Sequence, residues 1–195
     1  GARDLTAGYV KGRTQFGRTL AEFQAVAMQV ADVYIAARTT DLAADNELVV
    51  RADCTYSRTG EGLHRFVDPA DDRVYTYSQF EVPDARRVYT TFEQPDLKAP
   101  FTFTVTAPEG WKVVSNSPSP EPEPAGDGKA VWRFAPTKPL STYVTAIVAG
   151  EYHEVQHVYH GKHGDIPLGH YCRQSLVEHL DVDELVKVTE QGFGY

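Results

Sequence analysis

The sequence predicts an α+β protein, mainly β, with a helix hairpin at its N-terminus and a single helix at its C-terminus. Three observations carry this. Apolar residues recur at helical spacing over residues 20–44. From residue 47 the pattern changes to short β-branched runs separated by turn signals. Helical spacing returns over residues 175–191.

In the first region Leu20, Phe23, Val26, Ala27, Val30, Val33, Tyr34 and Ala37 follow one another at steps of three and four, which predicts an amphipathic helix. Residues 4–13 can form a shorter helix, and Gln15-Phe-Gly17 breaks the pattern as a turn, giving two antiparallel helices. At Ala44-Asp45-Asn46 the periodicity stops without a Gly/Ser or Pro linker. Two regions follow from this boundary: a helical segment over 1–45 and a β-rich domain over 46–195.

The β-rich region opens on a strand-like run at 47–54. Further strands are expected at 73–82, 101–107, 112–115, 130–134, 142–148 and 153–159. Thr59-Gly-Glu-Gly62 reads as a loop, residues 117–128 as a Pro- and acid-rich hairpin loop, and residues 162–165 as a turn. In the last segment Leu176, Leu180, Leu185 and Val188 share one side, and Ser175 with Glu178 fits a capping box.

Composition narrows the function classes. The 195 residues fit one domain with a small appendage. Nineteen basic residues against 27 acidic ones leave a net charge of −8, which opposes a nucleic-acid surface. No apolar run reaches the ~18 residues of a membrane span. The first residues, Gly-Ala-Arg-Asp-Leu, show neither the basic nor the apolar region of a signal peptide, and no initiator Met is present, as in a fragment. Two distant cysteines, Cys54 and Cys172, suit a reducing compartment, so a cytoplasmic location is expected.

No catalytic constellation appears. There is no His-Glu-x-x-His, no Gly-x-Ser-x-Gly elbow and no phosphate-cradling Gly loop. Glu178-His179 lacks a second histidine at helical spacing. His153, His157, His160, His163 and His170 form a loose group, but His153 and His157 lie ~13 Å apart along a strand, so they read as solvated histidines. Gln79 and Glu81 stand two apart on the expected 73–82 strand and so share one face, opposite Phe80 and Val82. A carboxylate there is the natural counter-group for an ammonium.

The stretch Tyr75-Thr-Tyr-Ser-Gln-Phe-Glu-Val-Pro-Asp-Ala-Arg-Arg-Val-Tyr-Thr-Thr-Phe-Glu-Gln-Pro-Asp-Leu-Lys98 resembles the N-terminal domain of zinc-dependent M1 aminopeptidases of the aminopeptidase N type. Gly60-Glu-Gly-Leu-His-Arg-Phe66, Ala107-Pro-Glu-Gly-Trp111, Val114-Ser-Asn-Ser117 and Leu140-Ser-Thr-Tyr-Val-Thr-Ala146 extend the resemblance over residues 46–193. It implies a saddle-like β-sheet domain, incomplete here, that packs on a thermolysin-like catalytic domain. It also implies that Gln79 and Glu81 recognise the α-amino end of a peptide, while the catalytic domain adds an acidic residue from a Gly-Ala-Met-Glu-Asn segment. The zinc of that family belongs to the catalytic domain, so no metal ligand and no catalytic residue is expected in this chain. Residues 83–87 and 92–96 are expected to brace the 79–81 segment. An isolated chain of this kind is expected to be inactive, or to act as an interaction module docking a separate thermolysin-like domain.

A second resemblance lies in Tyr9-Val-Lys-Gly-Arg-Thr-Gln-Phe-Gly-Arg18, Phe23-Gln24-Ala25-Val26 and Ala31-Asp32-Val33-Tyr34, which look like the C-terminal helical domain of acyl-CoA dehydrogenases. That resemblance covers residues 8–45 and implies FAD contacts at Arg13 and Gln15. A guanidinium suits a diphosphate because it donates two parallel hydrogen bonds. Together the two resemblances describe a chimera joined near Asn46.

Overall fold

The computed structural model describes residues 47–195, together with the backbone of residues 14, 15, 18 and 19. The chain divides into two units, residues 1–53 with 89–92, and residues 54–88 with 93–195.

In the first unit, β1 (Thr14–Gln15) and β2 (Arg18–Thr19) pair antiparallel, Thr14 opposite Thr19 and Gln15 opposite Arg18. The expected turn at residues 15–17 therefore falls within a strand pair. The expected 20–44 and 4–13 helices lie outside the described residues. Residues 47–53 carry no regular structure, and Leu48 and Val49 are 61% and 70% exposed. The expected 47–54 strand is thus corrected: β-branched composition favours an extended chain, but a strand needs a partner ladder. Among the described residues none pairs with it.

The second unit holds three antiparallel sheets. In the largest, β3 (Gly62–Val67), β4 (Val74–Gln79), β9 (Ile147–Gly150) and β6 (Lys112–Ser115) lie in the order β3-β4-β9-β6. Cα partners share a face, so Thr76, Ala149 and Val113 form one row and Tyr75, Gly150 and Lys112 the next. β5 (Thr104–Pro108), β8 (Lys129–Arg133) and β7 (Glu123–Gly126) form the second sheet, with Val105 opposite Trp132 and Ala107 opposite Ala130. The core lies where the inner rows of these two sheets meet: Ala107, Val113, Ala130, Trp132, Phe134 and Ala149, with Phe103, Val105 and Trp111 packed against them. The β7–β8 hairpin turns through Gly126, Asp127 and Gly128, all at positive φ (78°, 52° and 67°), which two glycines and an aspartate tolerate.

On its opposite face the four-stranded sheet packs Tyr75 edge-on against Tyr152, ring centroids 4.9 Å apart. The third sheet is a long hairpin, β10 (His153–Gly161) and β11 (Gly164–Cys172), paired from His153 and Cys172 to Gly161 and Gly164. Its turn falls where residues 162–165 predict one. A 3-10 segment, Gln174–His179, then leads to α1 (Val182–Phe193).

Three further expectations are corrected. The 73–82 strand ends at Gln79, because the Gln79 side-chain oxygen accepts the Glu81 N–H at 2.6 Å and Pro83 has no N–H to continue a ladder. The first part of the 142–148 strand is a 3-10 turn, Thr142–Val144, in which the Thr145 hydroxyl donates to the Thr142 carbonyl at 2.6 Å. Ser175 caps no α-helix. Asp181 does, its Oδ1 accepting the Glu184 N–H at 3.0 Å, with Asp183 and Glu184 complementing the dipole of the first turn.

Candidate functional site

Gln79 closes β4 and stands opposite Gly62 of β3. Gly62 has φ +66°, a backbone conformation that suits glycine. The next residue, Phe80, is 1% exposed. Burying that ring draws the chain inward and leaves Gln79 and Glu81 exposed on either side of it. The sequence expectation placed both on one strand face by period-two alternation. The structure brings them together by a turn instead, and Val82, assigned to the core, is 46% exposed.

A polar brace fixes this turn. Glu93, its side chain 6% exposed, accepts the N–H groups of Ala85 and Arg86 on its two carboxylate oxygens, at 2.9 Å each. These are the orphan donors at the start of the 3-10 segment Ala85–Arg87. Arg86 returns a hydrogen bond to the Pro83 carbonyl at 3.0 Å, and Arg87 Nε pairs with Asp84 Oδ1 at 2.8 Å. The bracing role expected of residues 83–87 and 92–96 has this geometry. Glu81 is exposed and forms no ion pair among the described residues.

Two carboxylates elsewhere, one buried and one partly buried, carry no local signal in the sequence. Asp68, 3% exposed, joins the end of β3 to the segment after β11: its Oδ2 accepts from Arg173 at 3.0 Å and from Ser175 Oγ at 2.6 Å. Arg173 also lies 5.0 Å from the Phe66 ring centroid, and the Gln174 N–H donates to the Tyr75 hydroxyl at 2.9 Å. The Ser175 hydroxyl, the Ala70 N–H and the Arg173 charge hold the Asp68 carboxyl below its ordinary value against the opposing effect of burial.

The second is Glu154, on β10. Burial disfavours its charge, but hydrogen bonds from Lys112 (2.7 Å), Tyr171 (2.7 Å) and Gln156 (3.0 Å), with the Lys112 charge, outweigh it and hold the carboxyl at about 2. Burial and the Glu154 carboxylate push the Tyr171 phenol up to about 12, so it stays a donor. A group whose carboxyl is depressed on folding stabilises the fold above its ordinary value, and that contribution is lost as pH falls through the folded one. Thermal midpoints are therefore expected to drop as pH falls from 4.5 towards about 2, and the drop to be shallower in Glu154→Gln, as differential scanning fluorimetry would show.

Two histidines of the hairpin each meet one carboxylate. His157 Nε2 lies 3.0 Å from Glu190 of α1, and His160 Nδ1 lies 2.8 Å from Asp165. Among the described residues no three His, Cys, Asp or Glu side chains converge, and so they do not fit a zinc site. No described helix is long and apolar enough to cross a membrane. Arg13 and the side chain of Gln15 lie outside the described residues.

Residues 19–144 match the peptidase M1 N-terminal domain model. The chain belongs to the M1 peptidase N-terminal domain family. It is 61% identical over 150 residues to aminopeptidase N of Streptomyces lividans, a match covering 77% of this chain and 17% of that protein. Over 101 residues it is 39% identical to aminopeptidase N of Acetobacter pasteurianus (52% of this chain, 27% of that one). It is also 37% identical over 90 residues to the probable aminopeptidase 1 of Saccharolobus solfataricus, covering 46% and 12%. The chain thus spans about a quarter or less of the length of these relatives. The M1 match crosses Asn46 and takes in residues 19–45, part of the stretch that resembles acyl-CoA dehydrogenases, and neither a flavin fragment nor a chimera gains support from it.

Proposed function

We propose that this chain is the part of an M1 aminopeptidase that anchors the N-terminus of a peptide, with the zinc chemistry supplied by a thermolysin-like domain outside this sequence. The observation that carries the reading is Glu81: an exposed carboxylate without an ion-pair partner among the described residues, held on a turn that Phe80 and Glu93 fix from beneath. A peptide α-ammonium has three donors, and an ionised carboxylate offers the stronger, charge-assisted acceptor. Gln79 orients the turn through its bond to the Glu81 N–H and keeps its amide N–H groups for the peptide. Anchoring the ammonium selects which peptide bond meets the metal.

With no His-Glu-x-x-His in the sequence, the chain alone is expected not to hydrolyse alanyl or leucyl anilides, with or without added zinc. Mixed with a separately produced thermolysin-like domain, it is expected to restore zinc-dependent turnover. In that mixture Glu81→Ala should lower kcat/KM by about 100-fold, the scale of a mispositioned substrate. Turnover that survives Glu81→Ala undiminished would rule out the anchor.

The exposed apolar residues of α1 favour docking as the way the two parts meet. Leu185, Val188 and Phe193 are 44%, 54% and 46% exposed, although Phe193 stacks on Tyr159 at 5.0 Å. Both cysteines are free, which fits a reducing, cytoplasmic location within the same reading.

A further inference from the structure

A cleft of about 350 Å³ opens between β6, the hairpin and the Pro-rich strap that leads into β7. It has no residue in common with the Gln79–Glu81 turn. Trp111, Trp132, Pro120 and Pro122 make its apolar surface, and Lys112, Glu154 and Glu121 bring its charges. Its volume lies in the range of small-ligand sites, and its lining sets one partly exposed indole, Trp111, among polar groups.

The charges decide the ligand class. Lys112 is committed to Glu154, Nζ to Oε2 at 2.7 Å, so the only cation of the lining is neutralised. Glu121 is exposed at the rim and forms no ion pair among the described residues. The lining therefore carries two carboxylates against one ammonium, one net negative charge beside an indole. The strap is held in place from below: the Ser119 hydroxyl donates to the Val113 carbonyl at 2.8 Å and the Ser117 hydroxyl to the Ala135 carbonyl at 2.8 Å. Its prolines thus form a fixed wall of the cleft that Trp111 also lines, at little further entropic cost on binding.

We propose that this cleft binds a cationic side chain of arginine type, its guanidinium stacked against Trp111 and hydrogen-bonded to Glu121, its methylenes between the indole and the prolines. A guanidinium suits the place better than an ammonium because it is planar, more weakly hydrated, and stacks on an aromatic face while donating in its own plane. A peptide or protein carrying an exposed arginine is the partner class.

Trp111, partly exposed, lines the cleft and Trp132 lies buried in the core behind it, so a ligand-dependent change in tryptophan emission is read chiefly at Trp111. The whole chain would be titrated with Nα-acetyl-arginine amide, whose blocked α-amine cannot engage Glu81, so the result is independent of the peptide-anchoring reading. A saturable change with a millimolar Kd is expected, weakening as salt is raised. The citrulline analogue, equal in shape but neutral, should bind at least about ten-fold more weakly, since hydrogen bonds to charged groups are the strong ones. Glu121→Gln, at an exposed position that leaves the fold intact, should weaken the arginine ligand about two- to five-fold. No saturable change, equal affinity for citrulline, or unchanged affinity in Glu121→Gln overturns the proposal.

Discussion

Phe80→Ala is expected to destabilise the β-rich unit by about 3–5 kcal/mol, the range for emptying a buried phenylalanine site. Phe80 is 1% exposed and sits where β4 gives way to the turn that carries Glu81. Removing the ring deletes its contacts and leaves a cavity that a close-packed interior closes only in part. Such a loss is a large share of the 5–15 kcal/mol that holds a typical domain together. Urea unfolding followed by far-UV circular dichroism measures it. Phe80→Leu should retain most of the stability, and a full-size loss in that variant would show that ring shape matters more than apolar volume here.

Gly150→Ala is the second large effect, and its cause is the opposite one. Gly150 lies in β9 opposite Tyr75 of β4. A Cβ at that position would stand 2.8 Å from the Val74 carbonyl oxygen and 3.0 Å from the Tyr75 Cα, both backbone atoms that cannot swing away. Overpacking of this sort costs about 1–3 kcal/mol. Gly192, in α1, provides the contrast, since no atom lies within 4 Å of its Cβ position. There Gly→Ala should stabilise by about 0.5–1 kcal/mol, because alanine loses less backbone freedom on entering a helix. Equal effects at the two positions would show that backbone entropy, not the Val74 carbonyl, sets the cost at Gly150.

Much of the fold was legible in local pattern. The expected strand 112–115 coincides with β6, and 130–134 differs by one residue at each end from β8. β8 alternates buried and open residues, so period two reports it directly. Among the strands not foreseen, β3 included, are β7 and β11. Glu123–Gly126 is exposed throughout and proline-containing, and Gly164–Cys172 contains Gly, Asp and Pro at its start, so neither carries the composition of a strand. Each is a strand because its neighbour supplies a ladder. Residues 47–54 show the converse: strand-like composition without a ladder among the described residues.

The candidate site divides along the same line. By itself the sequence determined the chemistry available: a carboxylate and an amide two residues apart, a braced Pro-Asp-Ala-Arg-Arg segment, no His-Glu-x-x-His, and the words of an M1 N-terminal domain. Those are matters of residue identity and order. Only the tertiary structure decided that Glu81 stands on a turn, that Glu93 holds that turn from eight residues away, and that Asp68 meets Ser175 and Glu154 meets Lys112. Each of these depends on where a buried ring or a paired strand directs the chain. A buried carboxylate finds its donors through space, since burial without them would cost more than the fold can spare, and no spacing along the chain records that.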